Sequence, residues 1–202
     1  IDDLHDVGAL RYHPRCYHRP DDGGPTQTWA AMIASVTDLS GLITGAQRTW
    51  LDPSGIGKAP LETPRKAMGL LLGNAARFGP HSDVMAAGEG IETMLSLRMA
   101  LPGLSLIAAL SAAHLSAILF PKTLRRRYIA RDIDPAGDGA MTTLTARAAT
   151  AGIETIPLSP RLGDFNEDLA AFGLDDLRAL VRPQISPDDV ERFLFAGPSG
   201  GL

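Results

Sequence analysis

Residues 84–97 read VMAAGEGIETMLSL and contain the pattern that decides the fold. A short apolar run, 84–87, is followed at once by the tripeptide GEG, whose central residue is Glu89. An apolar run of this length bounded by glycine predicts a buried strand, and the following segment predicts a helix over 90–100. The stretch therefore predicts a strand and a helix joined by an acidic turn.

The same unit recurs towards the carboxyl end of the chain. YIARDIDPAGDG places Asp132 and Asp134 after an apolar run, and IETIPLSPRLGDFNEDL places Asp164 and Asp168 after another. Strands that alternate with helices predict an α/β fold with a parallel, Rossmann-like sheet and helices on both faces. The predicted strands are 84–87, 104–110, 127–132 and 153–158, and the predicted helices are 90–100, 112–119 and 137–151.

The acidic residues are expected to lie together. The carboxyl ends of parallel strands share one edge of a sheet, and such sheets bind ligands at that edge. Asp132 and Asp134 would repel each other without a cation between them, so the pattern indicates Mg²⁺ or Mn²⁺. Structural alternatives stay open, because Glu89 is also a favourable acid near a helix start and Asp164 a favourable N-cap.

The part of the chain before residue 80 follows a different pattern. Residues 1–26 are predicted to be irregular, 30–37 and 42–51 to form a β-hairpin, and 52–69 to form an ordered loop. We predict three regions: a small mixed α/β subdomain (1–80), the parallel-sheet domain (81–165) and a helical segment (166–202). Short helices are expected at 168–172, 174–181 and 187–195, followed by a loose GPSGGL tail.

Composition limits the class of protein. The 45% apolar fraction indicates a globular chain, and the single cysteine, Cys16, excludes an internal disulfide framework and favours the cytoplasm. No apolar stretch approaches the roughly 20 residues needed to cross a bilayer, so no membrane association is expected. The first residue is Ile1 rather than Met, which indicates a fragment of a longer protein.

The charge is unevenly distributed. The net charge of −4 divides into +3 for residues 1–131 and −7 for residues 132–202. The acidic half contains the predicted metal site, while basic residues of the other half are suited to phosphate groups. The candidate nucleic-acid or nucleotide-binding residues are Arg48, Lys58, Arg65, Lys66 and Arg77. A solvated charged surface is the alternative for each of them.

The motifs EGIET, DIDPAG and GDFNED, taken together, resemble the Toprim domain of bacterial primases, topoisomerases and some nucleases. The preceding stretch, AMIASVTDLSGLITGAQRTWLDPSGIGKAP, resembles the RNA-polymerase-basal-like subdomain of bacterial replicative primases. Together with LRYHPRCY, these motifs are similar to those of primase-like Toprim proteins of phages, plasmids and integrative elements. The resemblance covers about residues 28–172.

The resemblance implies roles for individual residues. Glu89 matches the acid/base glutamate of Toprim domains and also contributes to the metal site, Asp132 and Asp134 match the metal-binding pair, and Asp164 matches an additional metal-site acid. Arg48 and Lys58 match basic residues of the template and nucleotide groove. The implied function is metal-dependent primer synthesis by a primase-type nucleotidyltransferase. The implied partners are single-stranded DNA, nucleoside triphosphates and a replicative helicase or another replication protein.

Other interpretations of the sequence predict other functions or sites. A Toprim nuclease would use the same acids for hydrolysis, and a module without activity would only bind DNA or a replication partner. Haloacid-dehalogenase-like phosphatases also carry DxD after a strand, but Pro135 and Ala136 follow here in place of their usual threonine pattern. In HPRCYH, the residues His13, Cys16 and His18 are potential zinc ligands, although a structural zinc site needs four.

Overall fold

The computed structural model describes residues 8–194, which build an antiparallel sheet and a mainly parallel sheet around a shared core. The strands are β1 (Leu10–His18), β2 (Gln27–Thr37), β3 (Ile43–Trp50), β4 (Arg65–Gly69), β5 (Ala76–Phe78), β6 (Val84–Gly88), β7 (Ser105–Ala108), β8 (Arg126–Ala130) and β9 (Glu154–Leu158). The helices are α1 (Ile91–Ala100), α2 (Ala112–Ala117), α3 (Pro135–Thr150), α4 (Phe165–Phe172), α5 (Leu174–Val181) and α6 (Pro187–Asp189). A 3-10 turn at Arg182–Gln184 and a π-helical turn at Val190–Leu194 lie on either side of α6.

The antiparallel sheet has the strand order β1-β2-β3-β4. The predicted hairpin corresponds to β2 and β3, but β1 occupies residues 10–18 of the segment 1–26 that was expected to be irregular, of which residues 1–7 lie outside the described residues. Likewise, β4 lies inside the segment 52–69 that was expected to be a loop. Within residues 8–78 the structure contains strands and no helix, so the mixed character of the chain comes from its later part.

Both missed strands lie at edges of the antiparallel sheet, and their exposure explains the misses. Most residues of β1 and β4 face solvent, so neither strand has the apolar alternation that reveals a half-buried strand. In addition, the pairing of β1 with β2 shifts by one residue between His13 and Cys16, which interrupts the period of two.

The second sheet has the order β5-β7-β6-β8-β9 and confirms the predicted strands with shifts of one or two residues at their ends. Strands β6, β7, β8 and β9 are parallel, whereas β5 runs antiparallel to β7. Residues of β6, β7 and β8 are almost entirely buried, which is the reason that their short apolar runs identify them.

Helices cover both faces of this sheet, as predicted. Residues of α1, α4 and α5 pack on one face, and residues of α2 and α3 pack on the other. Leu10 of β1 and Ala34 of β2 belong to the first of these two clusters, so the antiparallel sheet shares a hydrophobic core with the parallel sheet. This contact fixes one face of the antiparallel sheet near the parallel sheet.

The carboxyl-terminal region consists of short helices. Helix α5 has the predicted bounds, α4 begins three residues earlier than predicted, and the helix expected over 187–195 is divided between α6 and the π-helical turn. The predicted loose tail lies outside the described residues. The boundaries proposed at residues 80 and 165 stay predictions, and β5 lies before the first of them although it pairs within the second sheet. In the described part of the chain, no helix has the length and apolar character of a membrane span.

Candidate active site at the carboxyl edge of the parallel sheet

Four predicted acids lie on loops at the carboxyl edge of the parallel sheet. Glu89 directly follows β6 and Asp132 lies two residues beyond β8. Asp134 is the N-cap of α3, where it accepts a hydrogen bond of 2.7 Å from the N–H of Gly137. Asp164 is the N-cap of α4 and accepts from the N–H of Glu167 at 2.8 Å. Capping and membership of an acidic cluster are therefore compatible for these two residues.

Glu89 is held by the loop between β7 and α2. Its carboxylate accepts from the N–H of Ala112, and its main-chain carbonyl accepts from the N–H of Leu110 at 2.8 Å. Leu110 has a φ of 77°, the only positive φ outside glycine in residues 8–194. A leucine in this region is strained, and such strain is often found at functional sites. Nothing in the sequence predicts this conformation, although Ser111 is a recognisable N-cap for α2.

Two carboxylate oxygens of the cluster are buried without a partner among residues 8–194: Oε1 of Glu89 and Oδ1 of Asp132. Burial, followed by the charges of Glu89, Asp164 and Asp134, raises the pKa of Asp132 to about 7. Burial and the charge of Asp134 raise the pKa of Glu89, and the hydrogen bond from Ala112 opposes this shift. The four acids thus form one electrostatic unit that favours a cation or a shared proton.

Main-chain hydrogen bonds join the loops that carry the acids. The N–H of Ile133 donates to the carbonyl of Gly163 at 2.9 Å, and the N–H of Arg131 donates to the carbonyl of Leu158 at 3.0 Å. A Cβ at Gly137 would lie 2.5 Å from the carbonyl oxygen of Asp132, so the start of α3 packs directly against the Asp132 backbone. This packing sets the position of Asp132 relative to α3.

The donor set is suited to a hard divalent cation. Mg²⁺ and Mn²⁺ prefer oxygen ligands, and the two unpartnered carboxylate oxygens are of this type. In the described part of the chain, no three His, Cys, Asp or Glu side chains converge as a closed metal cage. Mg²⁺ commonly uses one or two carboxylates and completes its shell with water and substrate phosphate, so the residues fit a cation in that open mode.

Two further acids near the site have structural contacts. Asp168 is buried and accepts hydrogen bonds from the N–H groups of Arg161 and Leu162 at 2.8 and 2.9 Å. It therefore stabilises the loop before α4, and its carboxylate is already satisfied. Glu92, in the first turn of α1, contacts the antiparallel sheet instead.

The contact of Glu92 brings two of the predicted basic residues to the start of α1. A guanidinium nitrogen of Arg65 lies 2.7 Å from Oε1 of Glu92, and Nζ of Lys58 lies 3.8 Å from the same oxygen. Glu92 is one helical turn beyond Glu89. Arg65 and Lys58 therefore contact the first turn of α1, whose N-cap, Gly90, directly follows Glu89.

Arg48 and Lys66 lie on the opposite face of the antiparallel sheet. They pair across β3 and β4, while Arg65 pairs with Thr49 and so points the other way. The Arg48 guanidinium lies 5.1 Å from the ring centroid of Trp50. Lys66 is paired with Asp21 and donates to the carbonyl of Arg19. The five predicted basic residues therefore do not form one groove.

Arg77 lies in a third position, on β5. It points to the sheet face that packs against α2 and α3, because its neighbours Ala76 and Phe78 belong to the other cluster. Burial lowers the pKa of the Arg77 guanidinium, and the charge of Asp38 opposes this shift. Arg77 therefore lies away from the acid-bearing loops.

The HPRCYH segment has ordinary structural contacts. The ring of His18 packs edge-on against Trp50 at 4.5 Å and contacts the carbonyl of Thr63, and Cys16 is buried. His13 Nδ1 accepts from the N–H of Arg15 at 3.1 Å. These three side chains form no metal cluster within residues 8–194.

Comparison with protein families identifies the second sheet. A family model described as a domain of unknown function (DUF7146) matches residues 1–78, and one described as a Toprim domain matches residues 84–175. The chain contains a Toprim domain. The residues that match the Toprim domain include all four acids of the cluster: Glu89, Asp132, Asp134 and Asp164. No curated protein sequence matches the chain.

The fold of the described residues is similar to that of primase cores. The primase fragment of the bacteriophage T7 primase-helicase protein matches 87% of the chain and 68% of its own length, with a TM-score of 0.59 and 14% identity. A DNA primase domain from Pseudomonas aeruginosa matches 89% of the chain and 57% of its own length, with a TM-score of 0.55 and 16% identity.

A third similar structure is a bacteriophage T7 complex. It contains the lagging-strand DNA polymerase interacting with primase domains of two subunits bound to an RNA/DNA hybrid and dTTP. The match covers 87% of the chain and 91% of that chain, with a TM-score of 0.50 and 14% identity. At these identities the likeness establishes a Toprim primase-like fold.

Proposed function

We propose that the chain is the catalytic core of a primase-type nucleotidyltransferase, which joins nucleotides on a single-stranded DNA template. The observation that carries the proposal is the group of four carboxylates at the edge of the Toprim sheet, two of which have buried oxygens without a protein partner. Arg65 and Lys58 lie at the start of α1, directly after Glu89. The primase-core fold and the RNA/DNA hybrid and dTTP of the T7 complex support this reading.

Glu89 and Asp132 would hold the cation, since their unpartnered oxygens are available to it. Asp134 and Asp164 would add negative charge while each uses one oxygen as a helix cap. When bound, Mg²⁺ or Mn²⁺ would neutralise the triphosphate and polarise its phosphoryl oxygens.

The reacting groups are those of template-directed phosphoryl transfer. The bond that forms joins a 3′-hydroxyl oxygen to the α-phosphorus, the bond from that phosphorus to the β-bridging oxygen breaks, and pyrophosphate leaves. Glu89, ionised beside the cation, would accept the hydroxyl proton. Lys58 and Arg65 are suited to the triphosphate oxygens, because charged donors bind phosphate strongly.

Hydrolysis of phosphodiesters would use the same acids with water in place of the 3′-hydroxyl. A non-catalytic module would carry out neither synthesis nor hydrolysis. Synthesis is favoured because hydrolysis does not require the antiparallel sheet, whereas a polymerising core would use it, with the cations Arg65 and Lys58 at the start of α1, to hold a template and a triphosphate. A replicative helicase or another replication protein as a partner stays a prediction.

The test is an assay that reads synthesis and degradation together. The chain is incubated with single-stranded DNA, labelled nucleoside triphosphates and Mg²⁺ or Mn²⁺, with and without a supplied primer. We expect cation-dependent dinucleotide formation or primer extension. Degradation without any synthesis would favour the nuclease, and the absence of both reactions with all cations would favour a binding module.

A further inference from the structure

Two tyrosines on the edge strand β1 are largely exposed. Tyr12 is 67% exposed and Tyr17 is 71% exposed. A solvent-exposed aromatic side chain on a sheet face offers a flat apolar surface with a polar end, and aromatic rings of this kind serve as stacking platforms for bases. Neither residue contributes to the acidic site described above.

Strand register places both tyrosines on the same face of the antiparallel sheet. Tyr12 pairs with Met32 and Tyr17 pairs with Thr28, and these two residues of β2 are an even number of positions apart. Because Met32 and Thr28 are four residues apart, the two tyrosines are separated by about 13 Å along the strand, at about 3.3 Å per residue. Met32 packs against the core shared with the Toprim domain, so this face is the one that turns towards that domain. We call it the tyrosine face.

The tyrosine face leads to the acidic cluster. From Thr28 the same face continues to Ala30, whose carbonyl accepts from the N–H of Leu51, and Leu51 pairs in turn with Lys58. Ala30 and Leu51 are partly exposed, Lys58 is exposed, and Nζ of Lys58 lies 3.8 Å from Glu92 at the start of α1. A ligand lying across the sheet from Tyr17 towards Lys58 would therefore approach the loop that carries Glu89.

The charge near the tyrosines is positive and uncompensated. Arg15, between the two tyrosines, and Arg19 are both exposed. No ion pair with an acidic side chain involves either guanidinium in the part of the chain that the structure describes. Exposed arginines interspersed with stacking aromatics match a polyanion with unpaired bases, which is single-stranded nucleic acid.

We propose that single-stranded nucleic acid binds on the tyrosine face, with bases stacked on Tyr12 and Tyr17 and phosphates beside Arg15 and Lys58. This proposal rests on the proposed function in one respect, the identification of the bound strand as a template. A duplex is a poorer occupant, because its bases are already stacked on each other and their faces cannot reach the tyrosine rings.

Binding of fluorescently labelled oligo(dT), measured by anisotropy, tests the proposal in the absence of nucleotides. We expect Tyr12→Ala and Tyr17→Ala each to weaken binding at least fivefold, since one stacked base contributes on this scale. Tyr12→Phe and Tyr17→Phe should restore most of the affinity, because they keep the ring. Arg15→Ala should reduce the slope of log affinity against log salt by about 0.7, the value for one phosphate of a single strand.

Matched controls lie elsewhere on the surface. Lys122→Ala removes an exposed cation before β8, at the opposite edge of the Toprim sheet, and Phe172→Ala removes a ring that is 44% exposed on α4. Both should bind oligo(dT) as the wild type does. Thermal unfolding of each variant separates loss of binding from loss of fold, and the edge position of both tyrosines predicts little change.

The outcomes separate this inference from the proposed function. Wild-type protein that fails to bind oligo(dT), or tyrosine-to-alanine variants that bind it normally, would overturn the tyrosine face even if the protein synthesises primers. Equal loss of duplex and single-strand binding in these variants would also overturn it. Tyrosine-dependent binding without synthesis or cleavage would leave the face intact and refute the catalytic proposal.

Discussion

At the scale of single residues, the acids differ in which oxygens the protein already satisfies. Asp134 and Asp164 each use one oxygen to cap a helix, and Asp168 has both of its oxygens bonded to a loop. Glu89 and Asp132 each retain a buried oxygen without a partner in residues 8–194. This difference, which the sequence does not contain, distinguishes the expected cation ligands from the acids that support them.

The raised pKa of Asp132 predicts how stability depends on pH in cation-free protein. The folded state holds this proton up to about pH 7, whereas the unfolded chain releases it near its ordinary value of 3.8. The associated stability is complete below pH 4 and is lost as pH rises towards 7. Allowing for its partial exposure, we expect the free energy of unfolding to fall by about 1 to 2 kcal/mol between pH 5 and 8.

Chemical denaturation at these two pH values, in EDTA, measures the effect. Asp132→Asn cannot ionise and should show a smaller pH dependence, and added Mg²⁺ should restore stability to the wild type at pH 8. An equal pH dependence in both proteins would contradict the assignment of the raised pKa to Asp132.

Asp134 combines a cap with a charge, and two substitutions separate these roles. Asn is as good an N-cap as Asp, so Asp134→Asn should keep the stability of α3 while it reduces nucleotide joining. Asp134→Ala should lose activity and also about 1 kcal/mol of stability. Thermal melts and the synthesis assay together check both expectations, and a fully active Asp134→Asn protein would remove this residue from the site.

At the scale of elements, the packing of α3 against the Asp132 loop depends on a glycine. A Cβ at Gly137 would lie 2.5 Å from the Asp132 carbonyl oxygen, whereas a Cβ at Gly139 meets no atom within 4 Å. The two glycines are in the first turns of the same helix, but only one of them permits close approach of the acidic loop.

This contrast predicts opposite effects of the same substitution. Gly137→Ala should destabilise the protein by about 1 to 3 kcal/mol and reduce activity, because the Asp132 loop must move. Gly139→Ala should be neutral or stabilise by up to about 1 kcal/mol, because alanine favours the helix. Denaturant unfolding of both variants is the measurement. Similar stabilities would show that the loop accommodates a methyl group without cost.

The elements also show what could be predicted from the sequence. The inner strands β6, β7 and β8 are buried on both faces, so their short apolar stretches identified them, although β8 begins with Arg126 and the buried Arg127. Strands β1 and β4 are exposed edges whose partners, rather than their own side chains, determine their structure. The face of each basic residue depends on strand register, so sequence alone could not separate Arg65 from Arg48.

At the scale of the whole molecule, a buried carboxylate connects the carboxyl-terminal helices to the Toprim sheet. Asp189 of α6 accepts from Arg126 and from the hydroxyl of Tyr128 at 2.7 and 2.6 Å, and both partners belong to β8. The same hydroxyl accepts from the N–H of Ser186 at 2.9 Å. These contacts lie at the amino end of β8, opposite the acidic cluster.

Asp189→Ala should therefore destabilise the protein without acting on the chemistry. Removal of the carboxylate leaves two donors of β8 without this acceptor, at a cost of about 2 kcal/mol. Hydrogen exchange should increase mainly over residues 186–194. Asp188→Ala changes an exposed neighbour and should have little effect. Equal protection of this segment in both variants would show that other contacts hold it in place.

The central claim is that the carboxylates on the Toprim edge catalyse nucleotide joining, and Glu89→Gln tests it most directly. This substitution keeps the shape of the side chain but removes its charge and its capacity to accept a proton. The measurement is the rate of labelled dinucleotide formation and primer extension on single-stranded DNA with Mg²⁺ or Mn²⁺, for wild type and variant of equal thermal stability. We predict cation-dependent synthesis by the wild type and a loss of at least a hundredfold in Glu89→Gln, on the scale of general acid–base catalysis. A variant that synthesises at the wild-type rate would contradict the account.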